Sequence, residues 1–363
     1  MKRRHYLMVT AACTVLAFLL ASARAQESVP RYELDPSWPK LPLPEGAVVG
    51  DVGGMCIDLR NDHVFILSRP DTFTGRAASN LTGAPAAPIV IELDADGKMV
   101  NGWGDPKLID AYLHDCDVDQ AGNVWVMGAH GGHVQKYSHD GTRLLLQLGK
   151  SGVFDSSDGT AKGKPLNSNA AQFFFPAGVT VDPQNGDIYV ADGEGVGGNS
   201  RVAVMDRAGK FLRQWQLNRD GADKNIRPVP HCIGMSRDGL VYVCDRQADQ
   251  VQVFDKMGNL KKKIAVPWKR YDSTKTGGGG SAVALDFSPD PNQRYLYVAN
   301  QPNEKIDVLD RDSGKVLTSL GRGAGHFPGQ FDHAHGIAVD SKGNVYVAEV
   351  DGRRVQKFRA VGR

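Results

Sequence analysis

The sequence predicts an all-β, six-bladed β-propeller behind a cleaved signal peptide. Three observations predict it: an internal repeat, strict alternation of apolar and polar residues inside each repeat, and chain ends that complement one another. One phrase recurs: an alternating strand that ends in Asp or Ser, a Gly-bearing turn, a second strand and a third. It is plain in 116–137 (CDVDQAGNVWVMGAHGGHVQKY), 178–205, 233–254 and 336–358, and two divergent copies, opening at 52–67 and spanning 282–309, complete six. A period of about 40–60 residues with a few strands per copy marks propeller blades. A single blade cannot bury both its faces, so blades pack radially and only short edges remain.

Each element follows from its residues. Runs such as Asp-x-x-Gly-Asn supply hairpin turns. The last copy has three strands, within 337–339, 345–350 and 355–359, and RYEL at 31–34 is expected to add the fourth and close the ring. The polar stretch 151–171 and KTGGGG at 275–280 read as surface loops over a channel mouth. The composition is that of a folded domain, with 41% hydrophobic and 23% charged residues. Its 42 Gly and 19 Pro suit many turns.

The first 25 residues read as a targeting signal: basic Lys2, Arg3 and Arg4, an apolar stretch over 7–21, and Ala23-Arg24-Ala25 as cleavage site. That stretch is short for a membrane span. The expected division is therefore signal peptide 1–25 and propeller 26–363, with no span in the mature chain and a periplasmic or secreted location. Removing the four basic and no acidic side chains of 1–25 takes the formal net charge from +2 to −2. No basic footprint for nucleic acid is present, and Lys261-Lys262-Lys263 reads as a solvated strand edge. Cys56, Cys116, Cys232 and Cys244 remain after export, where disulfides form, and three pairings are open.

Register carries the functional reading. The first strands end at Asp58, Asp119, Asp182, Ser236, Asp286 and Asp340; five residues before these stand Gly53, His114, Ala177, His231, Ser281 and His335. Equivalent positions lie on one ring about the axis, and histidine fills every second blade. Alternate blades of a six-fold ring are related by a pseudo-three-fold rotation, so three imidazoles converge on one axial point. Three nitrogens with an open fourth position is the arrangement of a catalytic zinc, and imidazole also suits Fe, Cu and Ni. His333 shares the strand face of His335 and is a rival ligand. His63, His130, His133, His139 and His326 fall in turns or outer positions and are expected to face solvent.

The repeats resemble NHL repeats, as in GNVYVAEVDGRRVQKF and GDIYVADGEGVGGNSRVAVM. At the histidines the chain resembles the peptidyl-α-hydroxyglycine α-amidating lyases, whose zinc motifs are similar to Tyr112-Leu113-His114, Val229-Pro230-His231 and Ala334-His335. The blocks Val190-Ala191-Asp192-Gly193 and Asn199-Ser200-Arg201-Val202 also match, as does Phe65 to Arg69. The resemblance implies a zinc-assisted cleavage of a carbinolamide, a small-molecule or peptide substrate, and substrate-binding roles for Arg69 and Arg246. Pairing of Arg69 with Asp71 and of Arg246 with Asp245 is the structural alternative. The family's tyrosine before Asn-Ser-Arg is missing; Glu194-Gly195-Val196-Gly197-Gly198 stands there, and Glu194 is one candidate base. Gly336 replaces the aspartate that helps a structural calcium site in the family, while Asp115 follows His114. A non-catalytic NHL ligand- or protein-binding module and a lactonase-type hydrolase are the alternatives.

Overall fold

The computed structural model describes residues 29–69, 83–195, 197–219, 227–268 and 280–362. The expected signal segment and residues 71 and 275–279 lie outside these. Six four-stranded antiparallel sheets form the six blades. The innermost strands are Val52–Asp58, Leu113–Val118, Pro176–Val181, Pro230–Met235, Ala282–Phe287 and Ala334–Val339. As expected, Arg31–Asp35 closes the ring: it pairs with Arg354–Val361, Leu34 opposite Phe358, and completes blade six. Tyr32 adds a 2.6 Å hydroxyl–hydroxyl bond to Tyr297 of blade five.

The second strands, such as Ile188–Asp192, Val241–Asp245 and Val345–Glu349, are buried throughout. In blade four, Val241 and Val243 pack on Tyr189, Ala191 and Val202 of blade three. Tyr242 and Cys244 face the other way, onto Leu296 and Val298 of blade five. A strand apolar on both faces is what a radial stack requires. Outer strands such as Met99–Trp103 alternate half-buried and exposed residues.

The turn after each innermost strand follows from its Asp, or from Ser236 and Ser288 in blades four and five. Asp119 Oδ1 accepts the amides of Ala121 and Asn123, and Asp340 Oδ1 accepts those of Lys342 and Asn344. Gly122 and Gly343, at φ 80° and 85°, take the left-handed position these turns demand. The opposite face carries long connections, Leu148 to Pro176 among them. Two disulfides answer the open pairing: Cys56–Cys116 joins the innermost strands of blades one and two, and Cys232–Cys244 joins two strands of blade four.

Candidate metal centre

Every innermost strand breaks register with its neighbour once. The breaks fall between Val52 and Gly54, Leu113 and Asp115, Pro176 and Gly178, Pro230 and Cys232, Ala282 and Leu285, and Ala334 and Gly336. The extra residue at each β-bulge is re-aimed. Gly53, His114, Ala177, His231 and His335 occupy these bulges, as the five-residue count expects. Blade five differs from that count. Its strand-end residue is Ser288, whose N–H donates to Tyr295 as Asp119 N–H donates to Asn123. Five residues back stands Val283, within the bulge, and not Ser281. Asp286 is instead a channel-lining residue that accepts the amide of Val339 in blade six.

The three imidazoles meet on the axis. Ring centroids of His114, His231 and His335 are 4.8, 4.7 and 5.0 Å apart, and one nitrogen from each ring lies within 4.8 Å of the others. All three rings are buried. Each Nδ1–H donates to a carbonyl of the next blade: His114 to Ala177 at 2.7 Å, His231 to Val283 at 2.7 Å, His335 to Gly53 at 2.8 Å. A carbonyl only accepts, so this bond fixes the tautomer and leaves the Nε2 lone pair free. The Nε2 atoms of His114 and His231 are buried without a hydrogen-bond partner. Burial, aided by Arg246 and His114, holds His231 well below the usual imidazole range; burial and the two other histidines do the same for His335. Imidazoles oriented through Nδ1, two of them with an unpartnered Nε2, are what a divalent ion needs, so the residues fit such an ion.

Around this ring stand the residues after each second strand. The amides of Arg69, Ala129, Gly193, Arg246, Gln301 and Val350 donate to carbonyls two residues before the bulge: Asp51, Tyr112, Phe175, Val229, Ser281 and His333. Arg69 and Arg246 thus hold equivalent places in blades one and four, on opposite sides of the axis. Arg69 is buried, donates Nε–H to Leu113 at 2.9 Å, lies 3.9 Å over the Tyr112 ring and leaves Nη2 without a hydrogen-bond partner. Arg246 donates to Gln301 at 2.7 Å and sits 3.8 Å from Glu194. Asp245 takes the Val229 amide and the Gln250 and Gln252 side chains. Glu194 Oε1 lies 3.7 Å from His114 Nε2 and 3.9 Å from His231 Nε2. Burial pushes the Glu194 carboxyl up, but His114, His231 and Arg246 together pull it well below the usual range.

The structure separates the remaining candidates. His333 is not among the converging three; its Nδ1 is 3.0 Å from Asp351 and its ring 5.8 Å from that of His335. His133 is buried, contrary to expectation, and His63 and His139 both engage Glu92, at 2.7 and 3.1 Å. Arg201 of the Asn-Ser-Arg block is fully buried against Asp192 and Asp155 and bonds the Ser168 and Gln172 carbonyls, so it anchors the 151–171 loop. Sequence reasoning gave Tyr112 no role of its own, yet it stands two residues before His114, stacked between Arg69 and His130, whose ring is 4.2 Å away. Counting two positions back from each bulge would have found it.

Known proteins resemble this chain over most of its length. NHL repeat-containing protein 3 of Homo sapiens is 28% identical over 336 residues, 90% of this chain and 84% of that protein. Peptidyl-glycine alpha-amidating monooxygenase A of Xenopus laevis is 26% identical over 90% of this chain, which spans 33% of that larger protein. Peptidyl-alpha-hydroxyglycine alpha-amidating lyase 1 of Drosophila melanogaster is 26% identical over 278 residues, 73% of this chain and 47% of that protein. A solved streptogramin B lyase superposes with a TM-score of 0.53 at 14% identity, covering 92% of this chain and 98% of that one, a likeness of fold. The family profile described as "Lactonase, 7-bladed beta-propeller" matches residues 137–350. With repeats shared with the NHL and amidating-lyase proteins and six blades where the profile's description has seven, the chain belongs to this lactonase family of β-propellers.

Proposed function

We propose that the chain is an exported, metal-dependent propeller enzyme of the lyase type that cleaves a carbinolamide-type substrate. The observation that supports it best is the buried ring of His114, His231 and His335, with each Nδ1–H donated to the next blade and Nε2 left as a ligand. Zn2+ suits three imidazoles, other divalent ions also fit, and a bound ion supplies Lewis acidity that lowers the pKa of a substrate hydroxyl. Arg69 and Arg246 face each other across the site and bind a carboxylate or carbonyl of the substrate by paired hydrogen bonds. Glu194, held as a carboxylate, accepts the hydroxyl proton. The C–N bond then breaks, the nitrogen leaves with a proton as an amide, and the carbon becomes an aldehyde. The frog amidating monooxygenase and the fly lyase favour this substrate class. The expected signal at 1–25 and the two disulfides favour export. Among the described residues no helix is long and apolar enough to cross a membrane.

The test is metal analysis followed by turnover. The mature protein is expected to hold close to one equivalent of metal and to release glyoxylate from an α-hydroxyglycine-capped peptide above a metal-free control. No release would exclude this substrate. Hydrolysis of a lactone panel with added calcium would support the second reading, a lactonase-type hydrolase, which the family match favours. A metal that raises the melting temperature without any turnover would point to a binding module.

A further inference from the structure

We propose that Glu194 is a fourth donor to the metal, making the centre a three-histidine, one-carboxylate site. This rests on the metal-binding reading of the three histidines, and it makes Glu194 a ligand of the ion in place of the proton acceptor. In a tetrahedral site with metal–nitrogen bonds near 2.0–2.1 Å, neighbouring donor atoms are about 3.3 Å apart. Glu194 Oε1 stands 3.7 and 3.9 Å from the Nε2 atoms of His114 and His231. Both distances fall inside the 4.8 Å that bounds the separations of the three nitrogens. A contraction of a few tenths of an ångström brings the carboxylate to ligand distance. The Nε2 atoms of His114 and His231 are buried without a hydrogen-bond partner, so both point at space that a cation would satisfy.

The chain builds this position at some cost. Glu194 begins the loop between the second and third strands of blade three, and that loop is clamped at both ends. The Phe175 carbonyl accepts the amides of Gly193 and Glu194, at 2.9 and 2.8 Å. Phe175 itself adopts φ 61°, a conformation that a residue with a β-carbon takes at an energetic penalty. Gly193 sits at φ 146°, and a β-carbon there would collide with the Asn199 carbonyl. Above all, one guanidinium holds the loop: Arg227 donates to the carbonyls of Gly195 at 3.1 Å, Gly193 at 3.3 Å and Gly198 at 2.6 Å, and also to that of Asn199. Four carbonyls on one side chain define the loop path and so the reach of Glu194. The carboxylate approaches from the side of His114 and His231, and substrate would then enter as a fifth donor. A hard oxygen ligand also moves the centre's preference from soft metals toward zinc, iron or manganese.

The experiment loads the mature protein with Co(II) and compares it with Glu194→Gln and Glu194→Ala. Visible absorption reads the ligand set, a chelator competition reads affinity, and the melting temperature of each metal-free form checks folding. Loss of the fourth donor is expected to change the Co(II) spectrum in both variants. Affinity is expected to fall by more than ~100-fold, beyond the loss typical of an outer-shell partner. Metal-free melting is expected to stay near that of the parent. Arg227→Gln keeps the carboxylate but frees the loop, and is expected to give a mixed spectrum. Spectra of both Glu194 variants identical to the parent would overturn the proposal while leaving the three-histidine site standing. Failure of the parent to bind Co(II) would remove the metal reading itself.

Discussion

The two ends of the central channel use one device with opposite chemistry. At the end with the long connections, His114, His231 and His335 each donate an N–H to a carbonyl of the following blade. At the end with the tight Asp turns, Asp117 and Asp286 each accept an N–H from the following blade, at 2.8 and 2.7 Å, and Asp115 does so between the two levels. Both arrangements satisfy backbone groups on the free edge of an innermost strand, which would otherwise be unpaired. They differ in what is left over. The histidines leave a lone pair aimed at the axis, while the carboxylates leave negative charge in a confined space. Burial, with a contribution from neighbouring acids, raises Asp117 to about 6 and Asp286 to about 7. The scaffold fixes the inter-blade bond, and the residue at each position decides whether that end presents a nitrogen lone pair or a carboxylate.

The largest test of this contrast is a pair of substitutions. His231→Ala is expected to lose stoichiometric metal, with affinity down more than ~100-fold, while Asp286→Asn keeps its full equivalent. Equal metal loss in both would mean that the ends are not chemically separate. Next come the disulfides. Cys56–Cys116 closes a sequence separation of 60 and Cys232–Cys244 one of 12. Chain entropy predicts losses of about 4 and about 3 kcal/mol when each is replaced by serines. Denaturant melts of the two double mutants check that order.

Acid distinguishes the ends by sign. His231 and His335 have folded values below the unfolded one, so the unfolded chain binds protons first, and stability is lost as pH falls below about 6.5. Asp117 and Asp286 have folded values above the unfolded one, so the native state binds protons first, and stability rises as pH falls from about 7 toward 4. Asp286→Asn is therefore expected to stabilise the metal-free protein at pH 8 by about 1–3 kcal/mol and to do little at pH 5. A benefit that grew as pH fell would reverse the assignment.

Much of this architecture was legible because repeats turn position into geometry. The six copies, the closing strand at 31–34 and the shared register of the three histidines follow from alternation and a fixed count. Blade five went astray because Asp286 resembles the strand-end Asp of its neighbours, whereas that role belongs to Ser288. An extra pair of residues before the turn leaves no mark in a pattern of apolar alternation. The disulfide pairing was left open: Cys232 and Cys244 stand opposite each other on one hairpin of blade four, but Cys56 and Cys116 lie on different blades that only the packed ring brings together. Arg227 was equally hidden. Its partners are carbonyls of Gly193, Gly195, Gly198 and Asn199, and a bond to backbone demands no particular side chain. Arg69 and Arg246 were found by resemblance, and their equivalence across the axis emerged only from the shared amide position.

The smallest expected effect bears on the bulge rule itself. His333 stands on the same strand approach as His335 but outside the bulge, at φ 62°, with its ring against Asp351. If the bulge is what aims a side chain at the axis, His333 has no part in binding metal. Asn tolerates the left-handed conformation, and the His333 amide bond to Glu304 belongs to the backbone, so His333→Asn keeps both. It discards a part-exposed contact with Asp351, of a kind that contributes about 0–1 kcal/mol, and a ring contact with His335. Metal content is expected to stay at one equivalent and stability within that range. A fall in metal content would show that proximity alone recruits a ligand, and the separation between bulge and approach would no longer hold.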